Sequence, residues 1–105
     1  MNHYDFDLTE IEWREVHFAE IPYNSTLIRR TMPSRTVILD EDVHLWLYNQ
    51  FGRPATSLNR LSQADCPERW FFSNHSTVKP GGHSSTFAVF FADRAHAMLF
   101  KLAWV

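Results

Sequence analysis

Six histidines, one cysteine, a Lys-Pro-Gly-Gly-His loop and a set of arginines among aromatics are the residues of this chain that could do chemistry. The histidines stand at 3, 17, 44, 75, 83 and 96, with no HxH or HxxxH spacing and no cysteine beside any of them. A structural zinc site wants four Cys or His ligands in paired short spacings. His75 and His83 share a loop, but two histidines do not make a site, so no metal and no other cofactor is expected. Nucleophilic catalysis would need Cys66 or a serine held against a histidine. Cys66 precedes Pro67 with Asp65 and Glu68 beside it, and neighbouring carboxylates oppose a thiolate. There is no GxSxG and no HExxH. No catalytic residue is expected, and the chain reads as a non-enzyme.

The segment Lys79 to Ser85, KPGGHSS, has the look of a phosphate loop without its GxxxxGK[ST] order. It also leads into a strand, so no helix N-terminus waits there to hold an anion. It is read as the tip of a hairpin, where recognition residues commonly sit. Eight of the ten basic residues are arginines, and Arg29, Arg30, Arg35, Arg53, Arg60 and Arg69 are interleaved with Trp70 and Phe71. Arginine suits bidentate and stacking contacts, and strand aromatics can stack bases. The formal charge of −2 counts against phosphate tracking, so a nucleic-acid partner is disfavoured.

These residues need a frame, and 105 residues supply one domain, 1–105. A chain of this size buries roughly 60% or more of its unfolded surface, enough for one core without a metal or disulfides. The opening MNHYDFDLTE has neither a basic nor an apolar leader region, and no run reaches the ~18 apolar residues that span a bilayer. A soluble, cytoplasmic protein with no membrane partner is expected. Residues 1–20 hold Asp5, Asp7, Glu10, Glu12, Glu15 and Glu20 against Arg14, next to a stretch whose charges are Arg29, Arg30 and Arg35.

Residues 8–20 satisfy two patterns. Thr9 and Glu12 form a capping box, whereas Trp13, Val16 and Phe18 favour a strand with a bulge, and the strand is preferred. Short strands follow at 26–30 and 36–39. Asp40 caps a helix whose Val43, Trp46, Leu47 and Phe51 make one apolar stripe, stopped by Gly52 and Pro54. Residues 53–67 read as a loop with one short helical turn, 69–73 as a strand, 74–83 as a long hairpin loop, and 84–91 as a strand. Asp93 caps a last helix, with Ala95, Met98, Leu99 and Leu102 as its buried stripe. The order gives an α+β sandwich: an antiparallel sheet of about four strands with two helices on one face.

Two segments, DEDVHLWLYNQFG with RW about seventeen residues on and the ending FFADRAHAMLFKLAW, carry a resemblance. The ending resembles a closing pattern of short uncharacterised tailed-bacteriophage proteins, and the likeness covers about a third of the chain. It transfers no catalytic residue. It implies a small phage or prophage protein of the bacterial host cytoplasm that works by binding. The expected function is an inhibitor that occupies a host protein, such as a defence or transcription complex, through His75, Lys79, His83, Arg69, Trp70, Arg29 and Arg30. A minor virion or assembly protein, which would self-associate as a homo-oligomer, is the alternative from another class.

Overall fold

Two aspartates begin the two long helices. Asp40 Oδ2 accepts from the Asp42 N–H at 3.2 Å and Asp93 Oδ1 from the Ala95 N–H at 2.9 Å, so each cap satisfies an N–H that the first helical turn leaves orphaned. The computed structural model describes residues 11–34, 36–78 and 85–105, with side chains for all of these but 75–78, 85 and 86. In chain order the elements are β1 (His17–Pro22), β2 (Ile28–Arg30), β3 (Val37–Leu39), α1 (Glu41–Phe51), α2 (Leu58–Leu61), β4 (Trp70–Val78), β5 (Ser85–Phe91) and α3 (Arg94–Trp104). The α+β class holds. Its antiparallel strands fall into two sheets, β1-β5-β4 and the ribbon β2-β3.

Period-2 alternation decides which side of each strand is interior. Ala19 and Ile21 of β1, Phe87, Val89 and Phe91 of β5, and Trp70 of β4 face one layer, where Val43 and Leu47 of α1 and Ala97 and Phe100 of α3 close the core. The ribbon adds Ile28, Val37 and Leu39. On the other face a smaller cluster gathers Ala55, Leu61 and Cys66 against Phe71 and Phe90. The Cys66 thiol is buried there and faces the Glu68 carbonyl at 3.8 Å.

That second cluster is held down by a residue with no sequence signal. The Arg14 guanidinium donates to the carbonyls of Leu61 (2.8 Å), Cys66 (3.1 Å) and Glu68 (3.3 Å). The chain around it is zipped to the 62–64 turn by Arg14 N–H to Ser62 O and Ala64 N–H to Glu12 O, both 2.8 Å. Arg60 closes the same turn on Asp65 at 2.8 Å, and this hydrogen bond holds the exposed Asp65 carboxyl below its ordinary range. Replacing Arg14 by alanine strips three partly buried carbonyls of a charged donor. The expected loss is about 2 kcal/mol of unfolding free energy in urea, and Arg14→Lys should not restore it, because an ammonium cannot fork across three acceptors.

Several expectations are corrected. The strand expected over 8–20 begins at His17; residues 11–16 before it are irregular, with Trp13 bridged to Gln63, and 8–10 lie outside the described residues. Residues 74–78, expected in a loop, continue β4 across an irregularity between Ser73 and Thr77. The largest correction concerns α3. Ala95, Met98, Leu99 and Leu102 face outward, Met98 at 54% exposed and Leu102 at 84%. The inward residues are Ala97 and Phe100, with Trp104 packed beside them. The ring of Phe100 meets Phe91 at 5.7 Å and Trp46 at 6.1 Å. Both faces of this helix are apolar, so its period alone did not say which one packs.

Candidate functional site

Between the ribbon and the three-stranded sheet lies a groove of about 590 Å³, lined by Val37, Ile38 and Leu39 of β3, Pro54 and Ala55, and residues 70–72 and 74 of β4. Arg29, Glu41 and His44 stand around it. The lining is largely apolar because these strands supply β-branched and aromatic residues to both edges.

The backbone of both walls is turned toward the opening. Arg69 O accepts from the Ala92 N–H at 3.0 Å on the β5 side, while Trp70 O accepts from the Ala55 N–H at 2.8 Å on the other. Successive residues of a strand direct their peptide groups to opposite sides, so Phe72 points its N–H and C=O away from β5, as Trp70 does. In the ribbon, Asp40 N–H to Leu27 O and Thr31 N–H to Thr36 O, both 2.8 Å, mark the paired positions. With Arg29 opposite Ile38, the intervening Val37 and Leu39 turn their peptide groups away from β2. Among the described residues, no backbone partner meets the outward groups of Val37, Leu39 and Phe72.

Trp70 sets the floor. It is 1% exposed, and its indole N–H donates to Gly52 O at 2.7 Å. Gly52 ends α1 at φ 82 and ψ −163, a conformation that is essentially glycine-only, with its N–H donating to Tyr48 O. The end of the helix thus presents a carbonyl to the groove's largest ring. His44, one turn into α1, stands edge-on to Trp70 at 5.8 Å.

The expected contact residues divide. Arg29 and Trp70 come together at the groove, and Trp70 is its buried floor rather than an exposed contact, since a strand position facing the core layer takes the largest apolar ring inside. Arg29 Nε lies 3.5 Å from Asp40 Oδ1. Arg30 is stacked over Tyr23 at 4.2 Å, and Arg69 reaches Asp93 at 3.9 Å, both away from the groove. The side chain of His75, and Lys79 and His83 entirely, lie outside the described residues, as do Asp5, Asp7, Glu10 and Arg35. Ile38, Leu39, Ala55 and Phe72 were missed, because a strand edge has no residue signature. Of the arginines read as a nucleic-acid surface, Arg29, Arg60 and Arg69 are paired with the protein's own carboxylates. Among the described residues, no three His, Cys, Asp or Glu side chains gather where they could share a metal ion, and no helix is long and apolar enough to cross a membrane. The chain matches no family model, no curated protein and no solved structure, and its function is therefore read from its own residues.

Proposed function

We propose that this protein is a non-enzymatic interaction module that captures an extended, apolar segment of a partner protein in the groove between β3 and β4. The observation that carries the reading is the facing of two strand edges, Val37 and Leu39 on one wall and Phe72 on the other, with peptide groups directed into an apolar slot. An added strand would satisfy those groups through its own backbone, and its alternate side chains would rest on Leu39 and Trp70. Main-chain pairing supplies affinity in such a mode, while the apolar floor selects the side chains. The likeness of the chain's ending to small tailed-phage proteins directs the search for the partner to bacterial host proteins, which capture of a segment would block sterically.

A displayed library of short random peptides, selected on the full chain, tests this. The peptides expected to enrich alternate apolar with polar residues, and their binding should slow amide exchange at Val37, Leu39 and Phe72. Ile38→Glu places a charge on the exposed lip of the slot without touching the core and should weaken binding about tenfold or more. Phe72→Pro removes an outward N–H at an edge position where proline is tolerated, and should weaken it further. The proposal fails if no peptide enriches, if those amides stay unprotected, or if Ile38→Glu binds as well as the parent.

A further inference from the structure

The opening of the chain carries a pattern that fits the slot between β3 and β4. Tyr4, Phe6 and Leu8 are apolar and alternate with the polar Asp5, Asp7 and Thr9. A strict period of two suits a strand that lays one side on an apolar layer and keeps the other in water. The slot offers both surroundings, with Leu39 and Trp70 beneath and an open mouth above. Its walls add the outward peptide groups of Val37, Leu39 and Phe72. Residues 1–10 and 79–84 are the two longer stretches outside the described residues. Only the first contains aromatic or leucine side chains, since Lys79 to Ser84 reads KPGGHS.

The chain that follows this segment is fastened beside the slot. Glu12 O accepts from the Ala64 N–H, and the Arg14 guanidinium holds the carbonyls of Leu61 and Cys66. Leu61 and Cys66 form one cluster with Ala55, against which Phe71 packs. Ala55 and Phe71 are also lining residues of the slot. The segment is therefore joined to the cluster that borders the slot, and ten extended residues span up to ~33 Å.

We infer that residues 4–9 occupy the β3–β4 slot of their own chain as an added strand, in competition with a partner's segment, with Tyr4, Phe6 and Leu8 turned to the floor and Asp5 and Asp7 to water. The inference rests on the peptide-capture reading and adds a built-in competitor to it. A tether of a few residues sets an effective concentration of about 1 mM. A segment whose own Kd is about 0.1 mM then holds the slot about nine-tenths of the time and weakens an outside peptide about tenfold. Only partners that beat this internal strand are captured, which sharpens selection without any further contact.

Peptide titration and amide exchange test this on the full chain and on its variant with Phe6→Asp and Leu8→Asp, whose fold is checked by circular dichroism. The probe is a synthetic peptide of residues 3–10, HYDFDLTE. The variant should bind it about tenfold more tightly than the parent does. Without peptide, the Val37, Leu39 and Phe72 amides of the parent should exchange about tenfold more slowly than those of the variant. Both factors report one occupancy and should agree. Phe6→Ser alone, a milder change, should shift both in the same direction by less. Asp5→Ser with Asp7→Ser alters only the water-facing positions and should behave as the parent. Masking should be unchanged on dilution; masking that fades places the segment in a second copy and overturns the inference. Parent and variant that bind the probe alike, or whose amides exchange alike, overturn it too. The capture reading survives that outcome as long as the probe or a selected peptide slows those amides. If no peptide slows them on either chain, the capture reading fails and the inference falls with it.

Discussion

Replacing Phe100 by alanine lowers the unfolding free energy by about 3–5 kcal/mol, whereas Leu102→Ala on the same helix changes it by less than about 0.5 kcal/mol in dilute solution. Phe100 is fully buried between Phe91 of β5 and Trp46 of α1, with ring centres 5.7 and 6.1 Å away. Trp46 also meets Trp104 at 6.1 Å and Phe51 at 5.8 Å. Deleting one ring from this set removes its own burial and leaves a cavity that rigid neighbours cannot collapse to fill. Among the described residues Leu102 has no such ring contacts, and it keeps most of its surface in water already. Leu99→Ala should resemble Leu102→Ala, since it lies on the same outward face. Urea unfolding at low protein concentration, with unchanged m values, distinguishes the two faces. If Leu102→Ala costs as much as Phe100→Ala, the orientation of α3 described above is wrong.

That contrast marks the boundary of what was legible in the residues. Signals that act within one turn were readable. Asp40 and Asp93 cap because a short acceptor before an apolar period satisfies orphaned N–H groups, and Gly52 stops α1 because it alone tolerates the backbone required there. The stripe of α1 was readable because its opposite face is mostly polar, Glu41, Asp42, Asn49 and Gln50 surrounding the exposed Leu45 and Tyr48. On α3 the stripes Ala97-Phe100-Trp104 and Ala95-Met98-Leu99-Leu102 are both apolar, and choosing between them depends on where Phe91 and Trp46 sit, which is a tertiary fact. The groove was hidden for a related reason. Its walls come from segments about thirty residues apart, and what makes it a slot is the direction of the peptide groups of Val37, Leu39 and Phe72. Arg14 was read as the lone base of an acidic stretch, and its three carbonyl acceptors exist only once the 61–68 turn has folded over it.

Trp70→Ala is expected to cost about 3–5 kcal/mol and to abolish peptide capture, because one side chain serves both as core and as groove floor. The two roles separate with Trp70→Phe. A phenyl ring retains most of the apolar contact beneath the slot but cannot donate to Gly52 O, so the carbonyl that accepted at 2.7 Å is left without its partner. That loss should cost about 1–3 kcal/mol and leave peptide binding reduced rather than absent. Gly52→Ala perturbs the same contact from the other side. Nothing lies within 4 Å of where its Cβ would stand, so its cost, about 1–3 kcal/mol, is backbone strain alone. Relaxing that strain turns the residue 52 carbonyl away from the indole. Once Phe occupies position 70 there is no hydrogen bond left to break, and the second change costs less than it does alone. A double-mutant cycle of Trp70→Phe and Gly52→Ala should therefore show a coupling of about 0.5–3 kcal/mol. Additive costs would mean that the end of α1 and the groove floor are independent, and that the helix stop does not hold the tryptophan in place.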